Sequence, residues 1–130
     1  MRELVFVLEF RGRGEDIPGS PGRRRARTSA PMRGDTAVLE ARVERFGDGT
    51  FVEEGEITYG ARGKVAFVTL GRGTVAPGPQ AGAFHGAVIW RITGGDGGLA
   101  GAAGLITSNF AVSAAGDVTD HHVARIYLPD

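Results

Sequence analysis

The chain has 130 residues, enough for one hydrophobic core and one domain. Its 15 basic and 15 acidic residues cancel, so no global charge draws it to nucleic acid or to an anionic membrane surface. It has no cysteine, which excludes disulfides, thiolate metal sites and a cysteine nucleophile.

Residues 2 to 10 alternate, with Leu4, Phe6, Leu8 and Phe10 on one face and Glu3, Val5, Val7 and Glu9 on the other. That is the period of a strand with one buried face. Acidic Glu3 and Glu9 do not fit a signal peptide, and no apolar run approaches the roughly 20 residues of a spanning helix. A cytoplasmic protein with no membrane partner is the expectation.

Residues 11 to 35 break the alternation. Gly12, Gly14, Pro18, Gly19, Pro21, Gly22, Pro31 and Gly34 surround a run of Arg23, Arg24, Arg25 and Arg27. This composition predicts a long Arg/Gly/Pro-rich loop, the kind that is usually functional or disordered. The run suits an anionic ligand or nucleic acid, but it lacks interleaved aromatics and the chain has no net positive charge. A solvated loop, with no nucleic-acid partner, is the expectation.

Alternation resumes over 36 to 46, with Ala37, Leu39, Ala41 and Val43 opposite Glu40, Arg42 and Glu44. Gly47-Asp48-Gly49 signals a hairpin. The return strand, 51 to 59, puts Phe51, Glu53, Gly55, Ile57 and Tyr59 on one face. Residues 64 to 71 are apolar on both faces, so this strand is expected to be covered on both sides. Pro77 to Gly82 form a flexible link. Residues 83 to 93 alternate again around Phe84, Val88, Trp90 and Ile92, and 94 to 104 are glycine-rich. Two last strands, 105 to 113 and 118 to 128, flank the turn Ala115-Gly116-Asp117. Seven strands joined by short turns, with an eighth hidden in the long loop, predict one all-β domain over 1 to 130. A small closed antiparallel β-barrel of about eight strands removes the exposed edges of an open sheet.

The segment Ile92-Thr93-Gly94-Gly95-Asp96-Gly97-Gly98-Leu99-Ala100-Gly101-Ala102-Ala103-Gly104 resembles the glycine-rich turn between two barrel strands of the allene oxide cyclase and dirigent families. Leu99 stands where those families carry an aromatic. Ile57 to Val65 resembles the preceding hairpin, so the likeness spans about residues 50 to 110. It implies the barrel fold and a group that includes cyclases and stereo-directing proteins that often associate. It brings no catalytic residue with it, because the motif holds only backbone-shaping glycines.

The candidate chemistry sits on the last strands. Asp120, His122, Ala124, Ile126 and Leu128 share a face, and its apolar end makes that face the expected inner one. A histidine beside a carboxylate at a barrel mouth suits general acid or base work; the alternative is a solvated hairpin end. Asn109 is a further polar candidate. Glu53 interrupts an apolar face: it is either a buried carboxyl of raised pKa or a strand-end residue paired with Arg42 or Arg91. His121 and His122 point to opposite faces, so a metal site with Asp120 and His85 is not expected. Trp90, Phe84, Phe67, Tyr59 and Phe51 would line a lumen or fill it.

Three functions follow as expectations. One is a cofactor-free cyclase or isomerase acting on a small apolar metabolite, with His122, Asp120, Asn109 and Glu53 as its polar groups and residues 11 to 35 as a lid. Another is a non-catalytic barrel that binds a hydrophobic ligand. The last is an oligomeric structural protein, a homodimer or trimer joined through Ala66, Val68 and Leu70.

Overall fold

The computed structural model describes all 130 residues. The strands are β1 (Arg2–Asp16), β2 (Arg23–Met32), β3 (Asp35–Arg45), β4 (Thr50–Tyr59), β5 (Gly63–Thr69), β6 (Gly73–Pro77), β7 (Phe84–Gly97), β8 (Ala103–Val112) and β9 (Asp117–Leu128). Every pairing is antiparallel, and the order β3-β2-β1-β9-β8-β7-β5-β4 closes on itself through β3–β4. The result is an eight-strand closed β-barrel. Short β6 fills the gap between β4 and β7 beyond the end of β5. No helix is long and apolar enough to cross a membrane.

The inner face follows the period-two pattern. Phe10, Leu39, Ile57, Val65, Phe67, Trp90, Ile106, Ala124 and Ile126 are buried inside. At one end Phe6 stacks on Tyr59 at 4.4 Å, and Leu99 tucks under the barrel from the turn after β7. The glycine-rich segment therefore divides: its first part extends β7 to Gly97, past a bulge opposite Ala66 and Phe67, and only the rest turns.

Residues 11 to 35 are not a loop. β1 continues to Asp16, and Arg23–Met32 is a full strand paired to β1 and β3. The hidden eighth strand is β2. The alternation is present but written in small and charged residues. Gly12, Gly14, Ala26, Thr28 and Ala30 face inward, while Arg13, Arg25 and Arg27 face outward. The outward arginines meet acidic neighbours across the ladder, as in Arg27–Glu40 at 2.7 Å and Arg13–Asp117 at 2.7 Å. The inward residues are small because the strands approach closely. A Cβ at Gly12 would strike the Arg27 carbonyl oxygen and lie 2.7 Å from Thr28 Cα. Gly34, at φ 73°, closes the tight β2–β3 hairpin. With this segment built into the wall, no lid covers the lumen from it.

The other end of the barrel is open. The outer face of β5 is only partly covered: Ala66 and Val68 are half-buried, and Leu70, just past the strand, is 49% exposed.

Candidate active site

Four strands deliver the polar interior. β9 brings Asp120 and His122, β8 brings Ser108, β4 brings Glu53 and β2 brings Thr28, all on inward positions. They sit beneath the open end, where a cavity of about 240 Å³ reaches into the barrel. Its wall is largely apolar, with Leu39, Val43, Phe51, Val75 and Phe110.

Asp120 is the centre of the cluster and is 6% exposed. Ser108 Oγ donates to Asp120 Oδ1 at 2.6 Å, and His122 Nε2 donates to Asp120 Oδ2 at 2.8 Å in the tautomer protonated there. Both oxygens are thus fixed by a donor, and the carboxylate edge is aimed at the cavity. His122 lies behind it, outside the cavity lining. Its ring packs on Phe10 at 4.2 Å and against the edge of Trp90 at 5.0 Å. The imidazole orients Asp120 and shares its charge, and its Nδ1 has no hydrogen-bond partner.

Glu53 faces the same lumen. Its backbone is pinned by Thr69, whose Oγ1 accepts from the Glu53 amide at 2.6 Å and donates to the Glu53 carbonyl at 2.8 Å. Its carboxyl has no salt-bridge partner. Neither arginine expected for it is its partner: Arg42 is on the outer face with Glu54 and Glu56, and Arg91 is exposed. Burial pushes the Glu53 carboxyl from its ordinary 4.5 to about 8, and the charge of Asp120 adds to the rise. The Trp90 indole N–H opposes it weakly, from a geometry short of a full hydrogen bond. Although the residue is only half-buried by surface area, the exposed part opens on the lumen rather than on bulk water.

The sequence candidates therefore separate. Asp120, His122 and Glu53 come together, but Asn109 does not. It is exposed on the outer face, paired in register with His121. Ser108 takes the inner position beside it. Among the aromatics, Phe51 lines the cavity and Phe84 stands at its rim, 41% exposed. Phe67 stacks on Trp90 at 4.1 Å as packed core below the cavity, and Tyr59 belongs to the closed end. Residues that sequence reasoning missed are Ser108, Thr28 and Phe110. The hairpin turn held the signal for Ser108: folding the chain about Ala115 pairs 108 with 122 and 112 with 118, so an inner His122 requires an inner Ser108. Thr28 carried no signal once its segment read as loop. Its Oγ1 is buried without a partner at the cavity wall.

The lumen thus holds two carboxyls in unlike surroundings: Asp120 accepts from two donors, whereas Glu53 has no salt-bridge partner and its pKa is pushed up by burial. Comparisons with protein families, with curated proteins and with solved structures find no match to this chain.

Proposed function

We propose that the barrel is a cofactor-free acid–base enzyme, a cyclase or isomerase that works on a small, largely apolar metabolite held in the lumen. One arrangement carries this reading: Glu53, a carboxyl without a salt-bridge partner whose burial raises its pKa to about 8, shares a largely apolar cavity with Asp120, whose two oxygens accept from Ser108 and His122. In this mechanism Glu53 gives its proton to a substrate oxygen as a bond to that oxygen polarises. Asp120, backed by His122, accepts a proton from carbon. The substrate gains one proton and loses one, so the product is an isomer. A water in the open lumen returns the proton from Asp120 to Glu53. A passive carrier needs no neutral acid facing a carboxylate, which is why catalysis is preferred. The turn at Ile92 to Gly104 resembles a group that includes cyclases and is compatible with this reading.

The test is native mass spectrometry of the purified protein with a library of apolar metabolites, followed by chromatography of any captured molecule. A product of unchanged mass and altered retention, lost in both Glu53→Gln and Asp120→Asn, is the expected result. Capture without conversion would leave a binding barrel, and no capture at all would refute the open lumen.

A second reading concerns the outside. Val5, Val7, Val123, Leu105 and Ile89 are 43–72% exposed on the outer faces of β1, β9, β8 and β7. The register sets Val7, Val123, Thr107 and Ile89 in one row across the four strands, and Val5, Arg125 and Leu105 in the neighbouring row. Exposed aliphatic residues grouped in this way mark an interaction surface. We infer that it joins copies of this chain, and that sedimentation will show a dimer or trimer that Val7→Glu with Val123→Glu reduces to a monomer. A strict monomer before mutation would contradict it.

A further inference from the structure

The arginine run holds one residue unlike the others. Period two puts Arg23, Arg25 and Arg27 on the outside of β2 and Arg24 on the inside, above Ala26 and Thr28. The Arg24 side chain is 21% exposed, against 58% for Arg25 and 71% for Arg27. Its guanidinium lies over the rim glycine, where a Cβ at Gly14 would come within 3.2 Å of Arg24 Nη2. On the next strand Arg45 continues the inner series of Ala41 and Val43. Both arginines line the mouth of the lumen cavity.

The two cations share one counterion. Arg24 Nη1 lies 2.7 Å and Arg45 Nη2 3.8 Å from the same oxygen, Oδ1 of Asp16. Asp16 is 79% exposed, so it is held loosely and is readily displaced. The mouth therefore keeps one positive charge in excess. Arg45 is 41% exposed; burial, then the neighbouring Arg24 charge, lowers its pKa, and Asp16 offsets that only in part. Apart from Arg25, which pairs with Glu15, the other residues lining the cavity are apolar or neutral down to Glu53 and Asp120.

We propose that Arg24 and Arg45 form an anion-binding mouth, and that the molecule taken into the lumen is an amphiphile whose carboxylate sits on this pair while its apolar body reaches Glu53 and Asp120. The proposal rests on the lumen reading above and names the substrate class for it. Arginine suits the task, because its planar fork binds a carboxylate through two parallel hydrogen bonds. Asp16 then acts as the placeholder that an incoming carboxylate replaces.

The test uses matched probes, 3-phenylpropanoate against 3-phenylpropan-1-ol and nonanoate against nonan-1-ol. Binding is read by calorimetry and by fluorescence of Trp90, the single tryptophan. The wild type is expected to bind each carboxylate about tenfold more tightly than its alcohol at low salt. The gap narrows at high salt. It closes in Arg24→Gln with Arg45→Gln, whose affinity for the alcohols is unchanged. Asp16→Asn, which spares both arginines, widens it, and this variant decides the matter if the glutamine pair does not fold. Alcohols that bind as well as carboxylates, a gap that survives the glutamine pair, or an Asp16→Asn variant with weakened carboxylate binding would each overturn the proposal while leaving the lumen reading intact. Failure of every probe, alcohols included, would overturn the lumen reading and this proposal together.

Discussion

Glu53 is the residue on which the proposed chemistry turns, and its raised pKa predicts a thermodynamic trace. The unfolded chain loses this proton near 4.5, the folded chain near 8, so between those values the folded state binds more protons. Stability contributed by the neutral form is therefore lost as pH rises through that window, and the loss is complete above about 8. The expected cost is roughly 2–4 kcal/mol, discounted for the solvent that reaches the lumen. Glu53→Gln mimics the neutral acid, so urea unfolding should find it close to wild type at pH 5 and more stable by that amount at pH 9. A difference that does not change with pH would show an ordinary carboxyl. Asp120 gives a complementary prediction. Asp120→Ala strands the Ser108 hydroxyl and the His122 N–H, both buried, and should cost about 2–4 kcal/mol in the same measurement. Glu53 and the Asp120/His122 pair were legible in the sequence because each interrupts an apolar face. Asn109 misled because polarity alone does not say which way a strand residue points, and Ser108, one residue away, has the inner position.

At the scale of elements, β1 and β2 hold the main lesson. From residue 11 on, their hydrophobic signal is absent, because the inner positions are mostly glycine, alanine and threonine and the outer ones mostly arginine. A pattern search tuned to large apolar residues reads such a segment as loop. The small residues are required by close strand approach, and two substitutions test this. Gly12→Ala drives a Cβ into the Arg27 carbonyl and Thr28 backbone, neither of which can swing aside, and should destabilise by about 2–4 kcal/mol. Gly94→Ala meets nothing within 4 Å and should cost less than about 1 kcal/mol. Equal effects, measured by thermal unfolding, would mean that space does not decide where glycine stands. The strands β3, β4, β8 and β9 were legible almost to their ends and β7 as far as Thr93, since their inner faces carry Leu39, Ile57, Ile106, Ile126 and Trp90.

The whole molecule closes because antiparallel strands with one apolar face and few places to end must join edge to edge. Eight strands of this width can fill with side chains or keep a small chamber. The difference lies in how large and small inner residues fall across the stagger of the strands, which no single strand's sequence displays. Here the closed end takes Phe6, Tyr59 and Leu99, while the open end takes Gly12, Gly14 and Ala26 and keeps about 240 Å³ free. That closure is what buries the Glu53 carboxyl and raises its pKa: on an open sheet it would meet bulk water. The central claim, an enclosed neutral acid facing a carboxylate, is tested most directly by a carbon-detected NMR titration of the Glu53 side-chain carboxyl in wild type and in Asp120→Asn. A midpoint near 8 in the wild type that falls in Asp120→Asn, yet stays above 4.5 because burial is the larger cause, is the predicted result. A wild-type midpoint at the ordinary 4.5 would contradict the account.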